Sequence, residues 1–196
     1  MPRIARIVYP NYPHHIIQRG NNRQQVFFDI HDRHLYLKLL KKFTTELSCQ
    51  VIAYCLMSNH IHLLLVPPYI NYLSKAMQKI SLVFTQHVNK KYARSGRLWE
   101  CRFHSCPVDR EKYLWTVCRY IERNPVRAGI VSNPFEYPWS SVHGSAGSKK
   151  DNVISQLRQD YCDSEEYARF LAEPEREKDV CKIRKTVYSG RLLSDE

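Results

Sequence analysis

The ten residues Met57-Ser58-Asn59-His60-Ile61-His62-Leu63-Leu64-Leu65-Val66 decide how this chain is read. Side chains alternate faces along a β-strand, so His60 and His62 point the same way, about 7 Å apart. Two neutral imidazoles at that spacing can close on one divalent ion. A histidine pair on a strand can also simply border a core, so the surroundings must decide. Val51 to Met57 is strand-like as well, with Ser58-Asn59 as a tight connection and Pro67-Pro68 ending the return strand. Both strands are apolar on both faces, which predicts a hairpin central in its sheet.

The composition around this hairpin narrows the partners. A chain of 196 residues can hold one substantial domain plus an appendage. No apolar run approaches the roughly 20 residues of a membrane span, and the first residues lack a signal-peptide core. The 7 cysteines are odd in number and none has Cys-x-x-Cys spacing, Cys101 and Cys106 being the nearest pair. That pattern fits reduced thiols in a cytoplasmic protein. The net charge of +11 is uneven: residues 1–150 carry 22 Lys/Arg against 8 Asp/Glu, and residues 151–196 carry 8 against 11. No acid lies between Glu46 and Glu100, and the histidine pair falls inside that gap. A basic field interleaved with tyrosine and tryptophan is the footprint of a nucleic-acid binder, with no membrane and no small-molecule substrate expected.

Upstream, Pro13-His14-His15-Ile16-Ile17-Gln18-Arg19 reads as a short strand ended by the turn Gly20-Asn21-Asn22, with Arg19 and Arg23 flanking it. A helix then starts at Asp29 or Asp32, its stripe formed by Leu35, Leu39, Phe43 and Leu47. Downstream, Asn71 is placed to cap a helix with the stripe Leu73, Ala76, Met77, Ile80, Phe84 and Val88. Lys75, Lys79 and Lys90 fall off that stripe, available to a nucleic-acid backbone, and Arg94 and Arg97 lie in the basic loop that follows. Leu98 to Cys106 reads as a strand. Asp109 opens a further helix with the stripe Leu114, Val117, Cys118 and Ile121, and Pro125 stops it. Segment 126–145 reads as a packed irregular arm with Trp139 as core filler. The stretch Gly144–Ser148 suggests a boundary, dividing residues 1–145 from an appendage, 146–196, that is partly helical or flexible. Its last twenty residues are polar and read as loosely held.

On the helix after Asp109, Tyr120 and Asn124 are one turn apart and flank the apolar stripe. Tyr113, two turns earlier on the same edge, competes for any role given to Tyr120. At this point the chain resembles the single-tyrosine HUH transposases of bacterial insertion sequences, and among them the REP-associated tyrosine transposases. The resemblance rests on Met-Ser-Asn before His60-Ile61-His62, and on Tyr120-Ile-Glu-Arg-Asn124-Pro-Val-Arg-Ala-Gly129. It is strengthened by Gln18-Arg19-Gly20-Asn21-Asn22-Arg23, Gly96-Arg97-Leu98-Trp99-Glu100-Cys101-Arg102-Phe103 and Tyr137-Pro138-Trp139-Ser140-Ser141. It covers roughly residues 1–145 and leaves the remainder unmatched.

The resemblance implies an α+β, ferredoxin-like sandwich with an antiparallel sheet, and metal-dependent cutting of single-stranded DNA at REP-like hairpins. Tyr120 would join the strand as a 5′-phosphotyrosine, leaving a 3′-hydroxyl for strand transfer, and His60, His62 and Asn124 would hold Mg²⁺ or Mn²⁺. In the wider family the third ligand is often a glutamine; Asn124 stands in that position here. A phenol with pKa near 10 is a weak nucleophile at neutral pH and needs such help. Two imidazoles and an amide make an open, weak site, suited to catalysis rather than to structural zinc. Arg19, Asn21, Asn22 and Arg23 are expected to meet bases near the hairpin foot. The alternative is a regulator of the same fold that binds DNA or RNA without cutting it. A plasmid-type replication initiator would share the chemistry. Either a monomer or a homodimer is compatible with the sequence.

Overall fold

The computed structural model describes residues 6–145, 151–155 and 164–195. Four strands, β1 (His14–Arg19), β2 (Gln50–Leu56), β3 (His60–Val66) and β4 (His104–Pro107), form one antiparallel sheet in the order β2-β3-β1-β4. Helix α1 (Ile30–Glu46) joins β1 to β2, and α2 (Tyr72–Lys91) joins β3 to β4. This interleaved βαββαβ order is the ferredoxin-like α+β arrangement that the resemblance implies. Helices α3 (Leu114–Glu122), α4 (Asn124–Arg127), α5 (Val142–Ser145), α6 (Ser164–Ala172) and α7 (Glu177–Ser189) follow.

Strand alternation divides the core in two. Ile16, Ile61, Leu63 and Leu65 face α1 and α2, meeting Tyr36, Leu40, Met77 and Phe84. Ile17, Leu64 and Val66 face the other way, under Val117, Cys118 and Ile121 of α3 and Ile183 and Val187 of α7. The cap of α1 is Asp29, whose carboxylate accepts from the Asp32 backbone N–H, while Asp32 reciprocates. Asn71 precedes α2 without a side-chain capping bond.

Four expectations change. The β2–β3 hairpin is not central: β3 is interior and β2 is the outer strand. Strand β2 can still be apolar on both faces because its free edge is covered. The Leu56 N–H donates to the Trp139 carbonyl (2.9 Å) and the Ser141 N–H to the Tyr54 carbonyl (3.0 Å). The Val51 N–H donates to Ser155 Oγ (2.7 Å), so the edge offers little to a stray strand. The strand read from Leu98 shrinks to His104–Pro107, because residues 98–100 bond irregularly to the turn after β1, as in Asn21 N–H to Leu98 O (2.9 Å). The helix read as ending before Pro125 kinks at Arg123 and resumes as α4, with the proline in its first turn, where no N–H is needed. Of the last twenty residues, read as loose, 177–195 are docked: Val180, Ile183, Val187 and Leu193 are buried.

A buried carboxylate ties the outer layer together. Glu122 is fully buried and accepts hydrogen bonds from Ser141 Oγ, Ser145 Oγ and Tyr167 Oη, each at 2.6 Å. It thereby links α3 to α5 and α6. Glu122→Ala removes the one acceptor these three hydroxyls share, and with it the tie between α3, α5 and α6, which costs on the order of 3 kcal/mol. Urea unfolding of the variant should show a lower midpoint with an unchanged slope; a midpoint equal to wild type would show that the network does not stabilise the fold.

Candidate catalytic site

The sheet face under α3 carries an island of polar rings in an apolar layer. His60 and His62 project from β3 onto this face, with ring centroids 5.1 Å apart. His62 is buried and His60 half-buried at the open end of the strand. His15, fully buried on the neighbouring β1, stacks on His62 with centroids 5.4 Å apart and planes at 18°. Its Nε2 lies 3.1 Å from His62 Nδ1. His60 Nδ1 donates to Asn59 Oδ1 at 2.6 Å. The Nδ1 atoms of both histidines are therefore engaged; the His60 Nε2 carries a lone pair, and the His62 Nε2 does so when the proton shared with His15 sits on His62 Nδ1.

Helix α3 hangs Tyr120 over this group. Its ring meets His15 and His62 edge-on, at 5.6 and 5.7 Å. The competing Tyr113 is committed elsewhere: its hydroxyl donates to Asp195 and accepts from Lys182 Nζ at 2.9 Å. Of the two tyrosines, it is Tyr120 that packs on the histidines. Asn124 opens α4, one turn on across the kink; it is buried, and among the described residues its Nδ2 has no partner. An unpaired buried amide is costly unless something completes it. The Nε2 atoms of His60 and His62 and the Asn124 Oδ1, rather than its N–H donor Nδ2, are the donor set an open divalent-cation site would use. Among the described residues, no group of three or more His, Cys, Asp or Glu is placed to hold a metal ion, so an amide would have to complete the set.

Burial dominates the electrostatics. It pushes His60 down to about 4, helped by the positive charges of Arg19 and Arg127. It pushes His15 down to about 3, again with Arg127 contributing, and holds His62 well below the usual histidine range, with His60 and His15 adding to the effect. All three rings are neutral at neutral pH, the form in which imidazole binds metal.

Two members of the site were not foreseen. Arg127 lays its guanidinium 4.1 Å over the Tyr120 ring. Its Nη2 donates to the Tyr120 carbonyl at 2.6 Å, and its Nη1 to both carboxylate oxygens of Glu175, at 2.6 and 2.5 Å. The Asn-Pro-Val-Arg run was visible in the sequence, but its arginine carried no assigned role. His15 was read only as part of a strand, and nothing local in the sequence shows that β1 lies beside β3.

The rim is built from the turn after β1. Arg19 pairs with His60 across the ladder, and its Nη2 donates to Tyr188 Oη at 3.1 Å. Asn21, Asn22 and Arg23 form a single 3-10 turn in which Asn22 and Arg23 take positive φ, 50° and 57°. Asn59 Nδ2 donates to the Arg23 carbonyl at 3.1 Å, and the Gly20 N–H to the Asn59 carbonyl at 2.8 Å. Only glycine fits at position 20, because a Cβ there would lie 2.3 Å from the Gln24 carbonyl. The turn is thus fastened to the hairpin that carries the histidines. Arg94 donates to Gln24 Oε1 at 2.7 Å. Arg97 lines an open cleft of about 630 Å³ beside β4, with Trp99, Arg102, His104 and Tyr188. Lys75, Lys79 and Lys90 are not brought to the histidines. They ride on α2, which covers the opposite sheet face, where Lys79 is ion-paired with Glu46 and Lys75 rests over the Tyr72 ring.

Comparison with known proteins adds three findings. Residues 8–124 match the family model described as Transposase IS200 like. A REP-associated tyrosine transposase assignment from Haemophilus influenzae is 30% identical over 105 residues, covering 48% of this chain and 59% of that protein, so the match spans less than two thirds of the relative. A solved structure of a REP-associated tyrosine transposase bound to a REP hairpin is similar with a TM-score of 0.64 at 18% identity, covering 79% of this chain and 91% of that one. That last likeness is one of fold. Among the described residues no helix is long and apolar enough to cross a membrane.

Proposed function

The chain belongs to the IS200-like transposase family, and from that premise we propose that it cuts and rejoins single-stranded DNA at REP-like hairpins through Tyr120. The observation that carries this reading is the Tyr120 ring set within 6 Å of His15 and His62 on an otherwise apolar sheet face. The Tyr120 hydroxyl attacks the scissile phosphorus, the bond to the 3′ oxygen breaks, and the products are a 5′-phosphotyrosine and a free 3′-hydroxyl. Reversal on a second 3′-hydroxyl transfers the strand. His60 and His62, through Nε2, and the Asn124 amide would hold Mg²⁺ or Mn²⁺. When bound, such an ion neutralises charge developing on the phosphate oxygens. Arg127 holds the tyrosine ring from its outer face, and Arg19 stands at the rim where a phosphate would enter.

The test is incubation with a single-stranded REP-type hairpin oligonucleotide and Mn²⁺, followed by a denaturing gel. A protein–DNA adduct is expected; hairpin binding without any adduct would favour the second reading. That reading, a hairpin-binding regulator without cleavage, draws on the burial of Tyr120, which is only 3% exposed.

The geometry also ranks the cations. Replacing Arg19, Arg94 and Arg97 together by alanine should weaken hairpin binding about tenfold or more and reduce the salt slope by roughly 2, the release expected for three lost single-strand phosphate contacts. Replacing Lys75, Lys79 and Lys90 together should change the slope less, through loss of the general basic field. Equal slopes in the two triple variants, measured by titration across salt concentrations, would refute this ranking. Asn21, Asn22 and Arg23 are the candidates for base reading, since their turn is the polar element fastened nearest His60.

A further inference from the structure

We propose that His15 is a positioning residue that sets which nitrogen of His62 carries the proton, and so which one is open to a metal; this rests on the metal-site reading above. His15 is fully buried on β1, one strand away from His62, and its Nε2 faces His62 Nδ1 at 3.1 Å. Its other nitrogen, Nδ1, is buried with no partner among the described residues. Packing alone does not account for an imidazole here. A leucine or phenylalanine would fill an apolar sheet face without a stranded polar atom, which costs about 1–3 kcal/mol. The ring is retained at a site where its one productive polar contact is with His62.

Between two neutral imidazoles only one proton can lie. If His15 Nε2 carries it, His62 Nδ1 accepts, and the His62 proton must sit on Nε2, which then cannot ligate. If His62 Nδ1 carries it, Nε2 of His62 presents a lone pair and His15 holds its own proton on Nδ1. The stack therefore couples the availability of His62 to the protonation pattern of His15. Metal-binding histidines generally donate their second N–H to an acceptor that fixes tautomer and ring orientation. His60 has such an acceptor in Asn59 Oδ1 at 2.6 Å. His15 supplies the matching one for His62, a neutral imidazole in the place usually taken by a carboxylate or carbonyl. The same ring touches the edge of Tyr120, with centroids 5.6 Å apart, so one side chain aligns both the ligand and the nucleophile.

The experiment uses the full chain labelled with ¹⁵N-histidine, without metal, and reads tautomers from long-range ¹H–¹⁵N correlations. Mn²⁺ affinity is then measured by the EPR signal of the free ion, and metal-free hairpin binding and thermal midpoint serve as controls. In wild type, His62 should be protonated on Nδ1. In His15→Phe the proton should move to Nε2 and Mn²⁺ affinity should fall by about 10- to 100-fold, with hairpin affinity within twofold of wild type. His15→Gln, whose side-chain oxygen can accept the bond, should recover much of the Mn²⁺ affinity. A wild-type His62 protonated on Nε2, or a His15→Phe protein with wild-type Mn²⁺ affinity, overturns the proposal. Should His15→Phe fail to fold, the wild-type tautomer and the His15→Gln protein still decide. A wild-type protein that binds no Mn²⁺ overturns the metal-site reading and the inference with it, an outcome distinct from wild type and variant binding equally.

Discussion

A Tyr120→Phe protein is expected to bind a hairpin oligonucleotide with near-normal affinity and to form no covalent adduct. The change removes one oxygen and leaves the ring, so the stack beneath Arg127 and the edge contacts with His15 and His62 persist. Among the described residues the Tyr120 hydroxyl makes no hydrogen bond whose loss would unsettle the fold. Stability should move by less than about 1 kcal/mol. Tyr113→Phe is the matched control. It breaks the contacts to Asp195 and Lys182, and should leave the adduct intact. Running both variants with Mn²⁺ on one denaturing gel decides between the two tyrosines. An adduct that survives in Tyr120→Phe and vanishes in Tyr113→Phe would reverse the assignment.

Loss of either strand histidine should be nearly as severe for cleavage, but the two changes differ in their effect on the fold. His62 is 3% exposed and stacked on His15. His62→Ala therefore leaves a cavity and an unpaired His15 nitrogen, costing roughly 2–4 kcal/mol. His60 is half-buried, and its partner is the neighbouring Asn59, so His60→Ala should melt close to wild type. The His60 variant is accordingly the cleaner probe: its cleavage rate with Mn²⁺ should drop about 100-fold or more while hairpin binding is kept. Excess chelator should silence wild type in the same assay. Cleavage by His60→Ala at the wild-type rate would remove the case for these ligands.

Local pattern made much of this legible. The period-2 alternation puts His60 and His62 on one face, the stripe from Leu73 to Val88 gives α2, and Asp29 caps α1. What stayed hidden depends on which element lies beside which. Periodicity tells a side chain's face, never its neighbour across the sheet. His15 meets His62 from 47 residues away, and Arg127 meets Glu175 from 48. The apolar faces of β2 misled for the same reason: the strand lies at the sheet edge, and that edge is covered by Trp139, Ser141 and Ser155. In the tail, Val180, Ile183 and Val187 form a narrow stripe among charged residues, so average polarity concealed a docked helix.

The Arg19–Tyr188 bond joins residues 169 positions apart, and this has a consequence for synthesis on the ribosome. Strand β1 is translated well before α7, which packs against the same sheet. Folding with such distant contacts is slow, because long loops must close before they are rewarded. A nascent chain that stops short of Glu175 also leaves Arg127 without the carboxylate that neutralises it beside Tyr120. Chains truncated before α7 should therefore leave the polar face around His15, His62 and Tyr120 incompletely formed, and on the cleavage reading they should form no DNA adduct.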